Sequence, residues 1–278
     1  MIFCVLILMV KGVYEISYLR IGEHVPLIII KGNDFLDKKL PAVIVMHGLF
    51  GNKERNLAFA MMLANKGFLI AMPDAYMHGD RMTESLIAML RDDPLRSMFD
   101  ILTRTTEDII NLIDYLEMRG DVDNERIGMT GISMGGILTF LVGIQDNRLK
   151  ALAPIIASGD FLTIFKKSAI LDELGVDKGE VAKIRIPDNI TELVSNLDPA
   201  YHPESLYPRP ILMVNGSEDI IIPKDAVQLT VSAIKKAYEQ KLELFKFSEH
   251  QGVGHTVTPK MLDEVVKFFE ETLAAKNE

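Results

Sequence analysis

Ile127-Gly128-Met129-Thr130-Gly131-Ile132-Ser133-Met134-Gly135-Gly136 is the stretch whose reading decides the fold. Its first half is an apolar run of strand character and its second half opens a helix. Between them lies Gly131-x-Ser133-x-Gly135, the spacing of a nucleophile elbow, in which a serine sits on a sharp strand-to-helix turn. A serine held in a strained backbone conformation needs neighbours two positions away without bulky side chains, which accounts for the glycines. The helix beginning near Met134 aims its amide dipoles at the same point and favours a developing negative charge there. Gly136-Ile-Leu-Thr-Phe-Leu-Val-Gly143 then continues as a buried helix and completes the strand–turn–helix context that the motif requires.

Upstream of this turn, Tyr14–Leu19 and Val25–Ile30 are β-rich and close enough for a hairpin at a sheet edge. Pro41-Ala-Val-Ile-Val-Met46 is a continuous apolar run, as expected of a parallel strand covered on both faces. His47-Gly48-Leu49-Phe50-Gly51 follows it directly, then a helix over Glu54–Lys66 stopped by Gly67, a strand over Phe68–Met72 and a polar loop over Pro73–Arg81. Met82–Arg104 reads as helical turns broken at Pro94, Thr105–Arg119 as an amphipathic helix and Asp121–Asn124 as a turn. Downstream, strands are expected at Ala151–Ala157, Pro210–Asn215 and Leu242–Phe247, with helices at Lys224–Tyr238 and Lys260–Ala275. The interval from Ser158 to Arg209 is too long for a plain loop. It reads as an inserted helical lid, with helical pieces near Phe161–Leu174, Gly179–Ala182 and Ile190–Leu197.

Strands alternating with helices imply βαβ units. The expectation is a single α/β domain over residues 1–278 with an α/β-hydrolase fold. About eight strands form a mostly parallel sheet, with helices on both faces and the lid at 158–209. Ligands in such sheets bind beyond the strand C-termini, where His47–Lys53, Pro73–Arg81, Gly131–Gly135, Gly216–Pro223 and Ser248–Thr256 all fall.

Composition narrows the class. With 48% hydrophobic and 25% charged residues among 278, the chain can bury a sizeable core. A net charge of −9 argues against nucleic acid or an anionic membrane as the main partner. The single cysteine, Cys4, forms no internal disulfide, as expected of a reducing, cytoplasmic setting. Met1–Val10 is uniformly apolar but too short to span a bilayer. It lacks the basic and small-residue flanks of a secretory signal. An edge strand, or a true start at Met9, is preferred there over a membrane-surface anchor. Neither a phosphate-binding G-x-x-x-x-G-K-[ST] nor a G-x-G-x-x-G after a strand occurs, so no cofactor is expected. The expected partner is a small molecule, and a homo-oligomer is compatible with the sequence.

A serine hydroxyl needs a base, and the base an orienting acid. In the order serine, acid, histidine, the base is His255 in Gly252-Val-Gly254-His255, with His250 as fallback and His202 read as structural. The acid is Asp219 in Gly216-Ser-Glu218-Asp219, with Glu218 its possible substitute and Asp198 the runner-up. The oxyanion donors are the N–H of Met134 and, from the loop after Met46, that of Leu49, with Phe50 close behind. His47 reads as a hydrogen-bonding strut for that loop. Asp74, His78, Asp80 and Arg81 lie in one loop without metal-ligand spacing and read as a buried polar network, so no metal is expected.

His47-Gly48-Leu-Phe-Gly51-Asn-Lys53-Glu54, Pro73-Asp74…His78-Gly79-Asp80-Arg81, Gly131-Ile-Ser133-Met-Gly135-Gly136, Gly216-Ser-Glu-Asp219 and His255 together resemble the small bacterial α/β-hydrolase esterases related to the dienelactone hydrolase and prolyl oligopeptidase group. The resemblance runs from about Tyr14 onward. It implies carboxylic-ester hydrolysis without a metal, with Ser133 as nucleophile, Asp219 as acid and His255 as base. Two departures mark its limits. Dienelactone hydrolases carry a cysteine where this chain has Ser133, so their substrate is not implied. Oligopeptidases carry a large N-terminal propeller for which 278 residues leave no room, so peptidase activity is not implied either.

Overall fold

The computed structural model describes residues 6–8, 14–22, 24–35, 38–167, 169 and 198–274. Their nine strands are β1 (Leu6–Leu8), β2 (Tyr14–Ile21), β3 (Val25–Gly32), β4 (Leu40–Met46), β5 (Leu69–Pro73), β6 (Val122–Ile132), β7 (Leu149–Ile155), β8 (Ile211–Gly216) and β9 (Phe245–His250). They form one sheet in the order β1-β2-β3-β5-β4-β6-β7-β8-β9. From β5 to β9 all pairs are parallel, while β1, β2 and β3 extend the sheet antiparallel. This is the expected mostly parallel sheet, with one more strand because Leu6–Leu8 pairs with Tyr18–Ile16. The remainder of Met1–Val10 lies outside the described residues.

The central strands are buried along their whole length (β3, β4 and β5 expose no residue), which is why their sequences are continuous apolar runs rather than alternating ones. Helices α2 (Leu86–Asp92), α3 (Pro94–Glu117), α4 (Met134–Gln145), α5 (Phe161–Lys167) and α6 (Lys224–Ala237) contribute to one apolar layer, including Leu112, Leu116, Phe140 and Ile234. Helices α1 (Leu57–Ala64) and α7 (Pro259–Leu273) cover the opposite face through Phe59, Leu63, Val265 and Phe269. Among the described residues no helix is long and apolar enough to cross a membrane.

Four segments differ from their sequence readings. The strand read over Leu242–Phe247 opens instead as a 3-10 helix, Leu242–Leu244, so that β9 starts at Phe245. Pro94 starts a long helix instead of breaking one: at the first helical position its missing N–H costs nothing, and the Asp93 carboxylate accepts the Arg96 N–H at 3.1 Å. Val122–Asn124 belongs to β6, because Val122 pairs with Leu40 and the Asp121 carbonyl accepts the Leu40 N–H. The stretch read as one helix from Glu54 begins as a separate 3-10 helix, Lys53–Asn56, ahead of α1. Of the expected lid, α5 and residues 198–209 are described. The pieces near Gly179–Ala182 and Ile190–Leu197, and the end of the one near Phe161–Leu174, lie outside the described residues.

The chain leaves β4 for β5 on one side and returns to β6 on the other. At such a reversal the connections leave on opposite faces and open a crevice beyond the carboxyl ends of the two strands. His47 and Ser133 follow β4 and β6 at this point.

Candidate active site

Ser133 has φ 58° and ψ −115°, a conformation that L-residues rarely adopt. Its surroundings over-determine it. The Ser133 N–H donates to the Ile155 carbonyl at 2.9 Å, and its carbonyl accepts the Gly136 and Ile137 N–H groups at 2.8 and 3.0 Å. The flanking glycines are steric necessities. A Cβ on Gly131 would stand 2.3 Å from the Gly135 carbonyl oxygen, and one on Gly135 would stand 2.5 Å from that of Met46. The elbow is therefore wedged against the end of β4. Met134 is the first residue of α4, so its N–H belongs to the helix terminus, where amides lack intrahelical partners.

The loops after β8 and β9 meet over this serine. Gly216 permits it, since a Cβ there would lie 2.2 Å from the Val253 carbonyl oxygen. His255 Nδ1 and Asp219 Oδ2 are 2.8 Å apart, and His255 Nε2 and Ser133 Oγ 2.9 Å. Because a carboxylate only accepts, Nδ1–H donates to Asp219 and Nε2 is left to accept the Ser133 hydroxyl. The other Asp219 oxygen accepts the Ile221 and Ile222 N–H groups at 2.9 Å each. With a side chain only 2% exposed, Asp219 is held in one orientation. The structure thus joins Ser133, His255 and Asp219 in one hydrogen-bonded line.

Residues 30–170 match the Dienelactone hydrolase family. The chain belongs to the dienelactone hydrolase family. Two of its relatives match along most of their own length. "Putative esterase YitV" of Bacillus subtilis is 29% identical over 240 residues, covering 85% of this chain and 91% of that one. Esterase YjfP of Escherichia coli is 26% identical over 239 residues, with the same shares covered. The structure of TT1662 from Thermus thermophilus has the same fold, with a TM-score of 0.68 at 21% identity over 91% of this chain and 95% of that one. The chain is a hydrolase of this family, on a frame shared by α/β-hydrolases.

The alternative candidates stand elsewhere. Glu218 is exposed beside the buried Asp219. Asp198 is fully buried, but its oxygens accept the Phe161 and Ala200 N–H groups at 2.9 Å each, at the start of α5. Burial, reinforced by nearby Asp160, raises its carboxyl to about 7. His250 faces Glu264 at 3.4 Å, and His202 faces Glu204 at 3.4 Å.

The loop after β4 is tied to the loop after β5 at both ends. His47 Nε2 accepts the Ala75 N–H at 3.0 Å, and Nδ1 lies 2.8 Å from the Gly48 carbonyl oxygen. Desolvation by burial lowers this imidazole to about 4. Asp74 accepts the Lys53 N–H at 2.7 Å and the Lys53 ammonium at 3.0 Å, and the ammonium also meets Asp80 at 2.9 Å. Arg81 in turn pairs with Asp108 at 2.6 Å. Among the described residues, no cluster of three or more His, Cys, Asp or Glu side chains is placed to hold a metal ion. Lys53 was given no role in the sequence reading. The signal is its position in the motif that follows β4, but its partner lies 21 residues away on the neighbouring strand's loop.

A cavity of about 720 Å³ opens over Ser133 and His255. Leu49 and Met134 lie in its wall, with Met98, Ile164, Ile221 and Ile222 as its apolar lining. Of the α5 residues Phe161, Leu162, Ile164 and Phe165, Ile164 reaches this cavity. Phe161 and Phe165 line a separate void of about 70 Å³.

Proposed function

We propose that this hydrolase is a serine carboxylesterase acting on short-chain carboxylic esters through an acyl-enzyme. The observation that carries the reading is the line Asp219–His255–Ser133, with spacings of 2.8 and 2.9 Å, whose Ser133 and His255 line the cavity. Ser133 Oγ attacks the ester carbonyl carbon while His255 Nε2 takes the hydroxyl proton. The imidazolium is stabilised through Nδ1–H by the Asp219 carboxylate. The carbonyl oxygen becomes an oxyanion, held by the Leu49 and Met134 N–H groups. The tetrahedral intermediate collapses, the C–O bond to the alcohol breaks, and the leaving alkoxide takes the proton from Nε2. Water then gives its proton to His255 and attacks the acyl carbon. The second intermediate expels Ser133 Oγ, which recovers the proton, and the carboxylic acid is released.

In this reading Ile164, on α5, borders the acyl side of the cavity. The family relationship and the name of esterase YjfP point to the same bond class. The deciding measurement is hydrolysis of p-nitrophenyl esters from acetate to palmitate, with fluorophosphonate labelling in parallel. Turnover should peak at short chains, and Ser133→Ala should lose it by about 10⁴-fold or more, as expected when a triad nucleophile is removed. Its melting temperature should stay near that of the wild type. Retained turnover in Ser133→Ala would refute the reading. A folded wild type that labels at Ser133 but cleaves no ester would move the substrate to a thioester or amide. A folded wild type that neither labels nor turns over would be a hydrolase-fold binding protein.

A further inference from the structure

We propose that His47 is a positioning residue that aims the Leu49 N–H at the oxyanion by holding the Gly48 carbonyl on the opposite side of the same peptide plane. The proposal rests on the serine-esterase reading above and adds a residue that touches neither substrate nor triad.

The geometry has three parts. First, the ring's tautomer is set by its surroundings. The Ala75 N–H can only donate, so His47 Nε2, 3.0 Å away, must be the accepting nitrogen, and the proton sits on Nδ1. Nδ1–H then donates to the Gly48 carbonyl oxygen at 2.8 Å. Second, that oxygen is pinned by a further donor, the Gly51 N–H at 3.0 Å. The crowding leaves no room for a side chain, because a Cβ on Gly51 would stand 2.9 Å from the Gly48 oxygen and 3.1 Å from His47 Nδ1. Third, the Gly48 carbonyl and the Leu49 N–H belong to one planar trans peptide, so they point in opposite directions. Gly48 itself lies against the nucleophile, since a Cβ there would come within 3.5 Å of Ser133 Cβ. A Leu49 N–H turned away from His47 is therefore presented beside Ser133, in the wall of the same cavity.

Burial supports the assignment. His47 is 1% exposed and its imidazole is held neutral, so the donor at Nδ1 and the acceptor at Nε2 persist through the range in which esterases work.

Two substitutions separate positioning from mere packing. The Asn side-chain amide can take the place of Nδ1–H, whereas the Gln side-chain oxygen can take the place of Nε2 and leaves the Gly48 carbonyl without its side-chain donor. On p-nitrophenyl butyrate, His47→Gln is expected to lower kcat by about 10- to 100-fold with little change in KM, somewhat less than outright removal of an oxyanion donor. His47→Asn is expected to keep kcat within about threefold of wild type, by the same reasoning. Affinity for a trifluoromethyl ketone, which forms a tetrahedral oxyanion adduct, should fall with kcat. Equal losses in both variants, or a loss carried by KM alone, would reduce His47 to a structural residue and overturn the proposal. Unchanged kcat in both would overturn it too. Should either variant fail to fold, wild-type protein decides the matter. Long-range ¹H–¹⁵N spectra should show His47 as the Nδ1–H tautomer, and an Nε2–H tautomer sinks the idea. Loss of turnover in Ser133→Ala, measured alongside, keeps failure of this proposal distinct from failure of the esterase reading, since an active Ser133→Ala would overturn both.

Discussion

At the scale of single residues, the site is governed by what cannot be present. Gly135 has a β4 carbonyl 2.5 Å from where its Cβ would be, and the His47 carbonyl at 2.8 Å. Those are backbone atoms, so Gly135→Ala must part the elbow from the end of β4. Overpacking of this kind costs about 2–3 kcal/mol, which for a chain of this size lowers Tm by about 3–5 °C. Calorimetry with a parallel ester assay should show both the lower Tm and a large loss of kcat; a variant with wild-type Tm would mean that the elbow and β4 can part freely. This layer was legible in the sequence, because a glycine enforced by backbone contact leaves a mark at fixed spacing. The choice of acid was less so. Glu218 and Asp219 are neighbours of similar chemistry, and they differ in that Asp219 turns inward to accept two backbone N–H groups and meet His255. The direction of an individual side chain in an irregular loop carries no periodic signal.

At the scale of elements, the start of α5 is held by a buried carboxyl group. Asp198 caps α5 through the Phe161 N–H while fully buried, and burial together with Asp160 raises it to about 7. Other titratable and polar groups of this corner include Tyr201, Ser158 and Thr230. The unfolded carboxyl ionises near 4, so between about pH 4 and 7 the native state binds more protons than the unfolded one. Stability from this group is present at low pH and is lost as pH rises through that window. Relative to Asp198→Asn, the wild type should therefore lose on the order of 3 kcal/mol of unfolding free energy between pH 4 and 7.5. Urea titrations of the two proteins at matched pH test this, and their difference removes groups common to both, such as His47. Parallel free-energy curves would show that Asp198 does not titrate there. Elements with an apolar run or a capping pattern were readable in advance. Val122–Asn124 was not, because its strand pairing with Leu40 is imposed by a partner about eighty positions away and not by local propensity.

At the scale of the whole molecule, the two loops on either side of the sheet's reversal point are joined by a buried charge pair. Lys53 is 4% exposed and Asp74 has no exposed side-chain surface, and their contact spans the connections after β4 and β5. Three carboxylates around the ammonium raise the Lys53 pKa, so the cation persists at any working pH. Lys53→Met would leave Asp74 buried without its counter-charge, which costs about 3–5 kcal/mol. Equilibrium urea unfolding measures this directly, and a cost below about 1 kcal/mol, the range of exposed pairs, would mean that the loops are held by other means. Such a pair was beyond sequence reading, because the two side chains become neighbours only once β4 and β5 lie side by side.

The line from Ser133 to His255 joins residues 122 positions apart. The base arrives on a loop that β9 and α7 must anchor, and α7 reaches back to β6, where Arg126 donates to the Leu273 carbonyl at 3.2 Å. A chain emerging from the ribosome therefore presents Ser133 long before His255 exists to meet it, and the hydrogen-bonded line closes only once the last helix has docked.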